Sequence, residues 1–342
     1  MAEKSKKEPQ TPESIILAAD QGRLDLVTAL LEGGADPNTV DEIGTSALHN
    51  AARQGYWDIA RLLLENNASP RIEDGNRATP LRLAVRAGQK EIVRLLLECD
   101  PPTAQTKESE TYRLLHIAAA FGHTEIVQLL LDCNTPTLGS NGEQTALHLA
   151  AAKGYHEICE LLLKHDKSLD RSVWARLVGP SLEVDSKDYA GNTPFAYAVA
   201  KGHEQVVEVF LRSYPELSKT TDREKALHFY KAIRAGKIEM VRIFLNHGTD
   251  TEMKDSYGYR ALHVAVIAES MGYMTEATDM IKLLLAHGAR VDSKDNDGRT
   301  PEFHSHNPKI RMILRNHAAT QPKVLSLPKA PVASNPPPEY KA

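Results

Sequence analysis

The chain carries 14 histidines and 3 cysteines, the residue types that hold metals and move protons near neutral pH. Their spacing assembles no site. His156-Glu157-Ile158-Cys159 opens like a zinc-protease helix, but that chemistry needs a second histidine four residues after the first, and Glu160 stands there. Cys159 falls on an apolar helical position and reads as core. Cys99 and Cys133 occupy matching places in the chain's periodicity. Packed helices lie about 8–10 Å apart, whereas a disulfide needs Cα atoms within about 7 Å, so free thiols are expected. No glycine-rich phosphate loop or nucleophile elbow occurs, and no carboxylate pair stands outside turn segments. The expectation is a protein with no catalytic residue, metal or cofactor. The alternative is an enzyme or enzyme-associated factor with a site near His148, His156 and Trp174.

Composition narrows the partners. A net charge of −4 is not the footprint of a nucleic-acid binder. Hydrophobic residues at 42% and charged residues at 25% are ordinary for a soluble protein. No apolar run approaches the ~18 residues of a membrane span, and the polar start, Met1 to Glu8, lacks the apolar core of a secretory signal. With free thiols, this points to the cytoplasm or nucleus. Lys4-Ser5-Lys6-Lys7 reads as a solvated end, with a nuclear signal as the alternative.

The elements that position these residues announce themselves by rhythm. Gly22, Gly55, Gly88, Gly122, Gly154, Gly202 and Gly236 are separated by 33, 33, 34, 32, 48 and 34 residues. Leucines ending apolar runs keep the same beat at Leu31, Leu64, Leu97, Leu131, Leu163, Leu211, Leu245 and Leu285. A period near 33 means one supersecondary unit stacked many times. In Ala78 to Gly88, threonine then proline starts a helix, because the hydroxyl caps open backbone N–H groups and proline suits the first helical position. Gly88 ends that helix, and Glu91 to Leu97 has the apolar spacing of a second. Eight such repeats and a degraded ninth run from Glu13 to about His317.

Thr79-Pro80-Leu81, Ser46-Ala47-Leu48-His49, Thr145-Ala146-Leu147-His148, Thr193-Pro194-Phe195 and Ala261-Leu262-His263 resemble the helix start of the ankyrin-repeat family. Gly34-Ala35-Asp36-Pro37-Asn38 and Gly288 to Asp292 resemble its exit from the second helix. The segments Asp188 to Thr193, Asp255 to Gly258 and Asp295 to Thr300 resemble its hairpin tips. The resemblance implies an all-α ankyrin-repeat solenoid of about nine helix-turn-helix plus β-hairpin units. First helices and tips would line a concave face commonly used for protein binding. It also implies structural, hydrogen-bonding roles for His49, His116, His148 and His263, and places His123 and His203 at a family position after the glycine. The paired alanines Ala18-Ala19, Ala51-Ala52, Ala118-Ala119 and Ala150-Ala151 would let first helices approach closely.

On that face, residues just before the glycines form an interrupted basic stripe: Arg53, Arg86, Lys153, Lys201 and Arg234, with Arg82 and Lys231 alongside. An acidic protein partner is the expectation, since complementary charge steers association. Tip aspartates are assigned to the turns themselves. Phe121, Tyr189, Tyr257 and Tyr259 are candidate contact anchors, with packing against the next tip as the alternative; Trp57 reads as packing.

The 48-residue step hides an insertion near 167–181, where Trp174 is either a contact anchor or a cover for the gap. A second insertion, near 270–277, reads as elongation of two helices, and the Asp100–Glu110 segment as a loose loop. The expected organisation is an N-terminal tail over 1–11, the repeat domain over 12–320 and a Pro-rich tail over 321–342. Pro337-Pro338-Glu339-Tyr340 resembles the P-P-x-Y ligand of WW domains, for which a polyproline segment costs little entropy to bind; the alternative is a plain solubilising tail. The sum is a monomeric, non-enzymatic interaction scaffold or adaptor that does not insert into membranes.

Overall fold

The computed structural model describes residues 14–100, 108–133, 143–168, 183–217, 223–255, 257–274 and 276–320. The insertion containing Trp174, most of the Asp100–Glu110 segment and the Pro337–Tyr340 motif lie outside them. The chain divides into two compact parts, Met1–Ala232 with Lys237–Asp250 and Ile233–Gly236 with Thr251–Ala342.

The first part is a series of helix pairs. Its first helices include Ile15–Asp20, Ala47–Gln54, Pro80–Ala87, Glu108–Phe121, Ala146–Lys153 and Pro194–Lys201. Their partners are Leu24–Glu32, Trp57–Glu65, Lys90–Cys99, Thr124–Asp132, His156–Ser168 and Glu204–Ser213. A seventh pair, Arg223–Arg234 and Ile238–Asn246, has its turn residues assigned to the second part. First helices pack on neighbouring first helices and second on second, the nearest-neighbour scheme of a repeat protein. The second part holds the pair Ala261–Ser270 and Ala277–Ala286, then a 3-10 turn, Pro301–His304, and the helix Pro308–Thr320. That turn, in place of a first helix, is the degraded ninth repeat.

Local chemistry explains the helix bounds. The hydroxyls of Ser46, Thr79, Thr145 and Thr193 accept the backbone N–H of His49, Arg82, His148 and Ala196, a cap worth about 1 kcal/mol. At the other end Gly88 has φ +77°, a left-handed conformation that side chains resist. A Cβ there would also lie 2.7 Å from the ring of His123. The same overlap recurs down the stack: Tyr56 lies over Gly22, Gln89 over Gly55, Tyr155 over Gly122 and His203 over Gly154.

The paired alanines are all fully or almost fully buried, so first helices meet nearly backbone to backbone. Second helices bury a stripe at i, i+1, i+4 and i+5, seen in Ile92, Val93, Leu96 and Leu97 and again in Ile126, Val127, Leu130 and Leu131. Cys159 takes the second place of this stripe and is buried as expected. Each buried Leu, Ile or Val contributes about 1.5–3 kcal/mol.

Five tips share one turn. In each, an aspartate (Asp41, Asp74, Asp188, Asp255 or Asp295) donates its N–H to the carbonyl four residues on. Its Oδ1 accepts two backbone N–H groups ahead, such as Ala190 and Asn192 at Asp188. These aspartates do serve the turn. Among the described residues the hairpins reduce to one isolated bridge, Val40 with Ser46.

The second insertion differs from expectation. Only Ala261–Ser270 is lengthened, to 10 residues against 8 in the helices that start at Ala47, Pro80, Ala146 and Pro194. The remainder forms the turn before Ala277. Gly272 (φ +77°) ends the helix, with the Tyr273 N–H reaching the Ala268 carbonyl as Tyr56 reaches Ala51. Gly272 is thus a further beat of the glycine series, arriving late.

Candidate interaction surface

The basic residues occupy the last turns of the first helices, where a cation also meets the negative end of the helix dipole. Their surroundings are unequal. Arg53 pairs with Asp20 of the preceding repeat at 3.0 Å and bonds Asn50 at 2.9 Å. The guanidinium of Arg86 stands over the ring of Phe121 at 5.9 Å, and Phe121 is 51% exposed. His123 stacks on Phe121 and bonds the Arg86 carbonyl at 3.2 Å. Lys153 and Lys201 are exposed and have no ion-pair partner among the described residues. In the second part, Arg234 faces Asp255 at 3.5 Å. The stripe is therefore two rows: Arg53, Arg86 and Arg234 stand two residues before their glycines and have local partners, whereas Lys153 and Lys201 stand one before.

The aromatics divide similarly. Tyr189 is 81% exposed on the tip anchored by Asp188. Tyr257 is exposed, and Tyr259 is half-buried in a ring cluster with Tyr257, His263 and His304. Trp57, which the sequence assigns to packing, is 37% exposed with Arg61 over its ring at 5.4 Å. It lines a groove of about 250 Å³ with Glu91, Arg94, Leu95 and Glu98 on the second-helix side.

The histidines of the helix-start motif form a second ladder. Nδ1 of His49 accepts the Ser46 backbone N–H at 3.1 Å and Nε2 meets the Ala78 carbonyl at 2.9 Å. Nδ1 of His148 accepts from Thr145 at 3.1 Å and Nε2 meets Asn192 at 3.0 Å. A ring nitrogen that accepts carries no proton, and one facing a carbonyl must carry it, so both rings are neutral Nε2–H tautomers. Burial pushes the pKa of His49, His148 and His263 down. These side chains hold one repeat to the next and are not offered to a ligand. No cluster of three metal-type side chains occurs among the described residues, and none of their helices is long and apolar enough to cross a membrane.

Sequence reasoning missed the carboxylate network at Asp188. Its Oδ2 accepts the Tyr197 hydroxyl at 2.7 Å and the Gln144 amide at 3.3 Å. Burial pushes this carboxyl up, but the Tyr197 and backbone hydrogen bonds outweigh it and hold the pKa below the usual value. It also missed that residues following the glycines share one role. Gln89 and His203, like His123, donate to a carbonyl two residues before the preceding repeat's glycine, Arg53 and Ala152 respectively.

The same repeat is found in known proteins. The family model for ankyrin repeats matches three times, over residues 15–107, 115–221 and 210–295. A putative palmitoyltransferase of Danio rerio is 26% identical over 125 residues, 36% of this chain and 18% of that protein. The Drosophila melanogaster neurogenic locus Notch protein is 34% identical over 139 residues, 36% of this chain and 5% of its own length. The human protein phosphatase 1 regulatory subunit 27 is 26% identical over 103 residues, 30% of this chain and 62% of that protein. The chain thus spans less than two thirds of each of these relatives. The crystal structure of the human ASB11 ankyrin repeat domain aligns over 81% of this chain and 98% of its own, with 22% identity and a TM-score of 0.46. Matched over most of its length by repeats whose caps, glycines and stacking follow one pattern, the chain belongs to the ankyrin-repeat family.

Proposed function

We infer that the chain is a non-enzymatic protein-interaction module whose first compact part receives an acidic protein segment across Arg86, Phe121, Lys153 and Lys201, with Tyr189 as an aromatic contact. The observation that carries this reading is the pair Lys153 and Lys201. They hold equivalent positions before the glycines of consecutive repeats, are exposed, and have no counterion among the described residues. A carboxylate-bearing segment would supply both charges at once, and Arg86 over Phe121 adds a cation beside apolar surface. Arg53 contributes less, because it already faces Asp20.

A panel of acidic, neutral and basic peptides of equal length tests this. The acidic members should bind, weaken as salt rises, and lose at least tenfold in affinity to Lys153→Glu/Lys201→Glu. Binding indifferent to salt and to both substitutions would refute it.

A second reading rests on Pro337-Pro338-Glu339-Tyr340. The chain then acts as an adaptor, holding a client on the repeats and recruiting a WW-domain protein through this motif. Purified WW domains should bind the full chain and lose the Tyr340→Ala variant; equal binding by both would end this reading.

A further inference from the structure

In the second compact part four rings run in contact along the surface, one pair stacked and two pairs edge to face. Tyr257 stacks on Tyr259 with centroids 5.8 Å apart, Tyr259 meets His304 at 5.6 Å, and His304 meets Phe303 at 5.7 Å. The Arg299 guanidinium covers one face of Phe303 at 5.0 Å. The ends of the strip are open, with Tyr257 66% and Phe303 59% exposed. Its centre is pinned, because His304 Nε2 meets Asp295 Oδ2 at 2.8 Å and Asp295 is buried. The aspartates beside it are already paired, Asp255 with Arg234 and Asp297 with Arg299. Rings held in place suit an extended proline-rich segment, whose ring faces stack on aromatics and whose backbone loses little freedom on docking.

Such a segment follows in the same chain. The helix Pro308–Thr320 turns back so that Arg315 bonds Glu302, inside the 3-10 turn that carries Phe303 and His304, at 2.7 Å. Its last residue, five beyond Arg315, lies only about 8 Å further along the helix. Residues 321–342 contain six prolines. Pro328 and Pro331 have the three-residue spacing that places two prolines on one edge of a polyproline helix, about 9 Å apart. Eight extended residues from Thr320 to Pro328 reach up to about 26 Å.

We propose that Pro328–Pro331 of this chain docks on its own strip of Tyr257, Tyr259, His304 and Phe303. This does not depend on the acidic-partner reading, which concerns the first compact part. Docking shields Tyr257 and tethers the Pro337–Tyr340 motif beside the second compact part.

The test is photo-crosslinking of the purified full chain bearing Val332→p-benzoylphenylalanine. The expected product is a monomeric crosslink to peptides containing Tyr257, Tyr259 or Phe303, with a yield reduced at least fivefold by Pro328→Ala/Pro331→Ala. Phe303→Ala, at an exposed position, should reduce it likewise with unchanged helical circular dichroism. Crosslinks that map to the first compact part, join two chains, or survive both sets of substitutions would overturn the proposal, as would no crosslink to any repeat.

Discussion

The fifth and eighth repeats carry the same histidine and begin their helices differently. In the fifth, Thr145 caps the helix by accepting the His148 N–H, while its own N–H and hydroxyl meet His148 Nδ1 at 3.1 and 2.9 Å. In the eighth, Arg260 offers no acceptor; only its N–H reaches His263 Nδ1, at 3.4 Å. Its guanidinium instead bonds the Lys294 and Glu252 carbonyls and pairs with the Glu252 carboxylate at 3.2 Å. Glu252 also accepts from the Arg290 N–H and the Ser293 hydroxyl. Yet Nε2 of both histidines reaches a carbonyl of the next tip, Asn192 at 3.0 Å and Arg299 at 3.1 Å. Capping a helix and joining it to the next repeat are thus separable tasks. The histidine performs the second whichever residue performs the first.

Breaking the shared element should have the largest effect. His148→Ala leaves the Asn192 carbonyl and the Thr145 N–H without their partners and opens a cavity, costing about 3–4 kcal/mol. His263→Ala should cost about 1 kcal/mol less, because its local bond is already long. Urea denaturation of each variant measures the gap, and an equal loss would show that the threonine contact adds nothing. Glu252→Gln keeps the shape but removes the charge facing Arg260, with an expected loss of about 1–2 kcal/mol and faster amide exchange confined to the eighth and ninth repeats. Thr145→Ala removes the fifth repeat's hydroxyl alone and should cost about 1 kcal/mol. If it matched His148→Ala, the two tasks would not be separable.

Acidification acts on both repeats and on His49 alike. Burial lowers these three histidines in the folded chain, so below about pH 6.5 the unfolded chain binds protons that the folded chain refuses. Their contribution is complete above that pH and declines as pH falls towards the lowered folded values. Melting curves from pH 7.5 to 5 should show this decline, and His148→Ala should flatten it most modestly of all the effects here.

The rhythm of glycines, the Ser/Thr-started helices and the alanine pairs are local patterns, and each sits where its own chemistry requires. What stacking decides was not legible. Arg53 finds Asp20, and Arg234 finds Asp255, across neighbouring repeats, so a stripe that is uniform on paper is partly neutralised. Tyr259 looks like an exposed tip residue, but the ring of His304, from the 3-10 turn after the next tip, meets it edge to face. Trp57 has a core residue's composition, yet the inward stripe of its helix belongs to Ile59, Ala60 and Leu63. Gly272 was hidden because the helix before it is two residues longer.

The side chain that lies across the preceding repeat's glycine gives the series a direction. Each repeat from the second to the sixth offers a bare patch of backbone on one side and a ring or long chain on the other, as Tyr56 does to Gly22 and Tyr155 to Gly122. Like pieces that join only head to tail, they exclude reversed stacking while remaining interchangeable, since tyrosine, glutamine and histidine all seat on the same patch. A whole repeat could be duplicated or excised with both new junctions already matched, whereas removing part of one would leave a patch facing nothing.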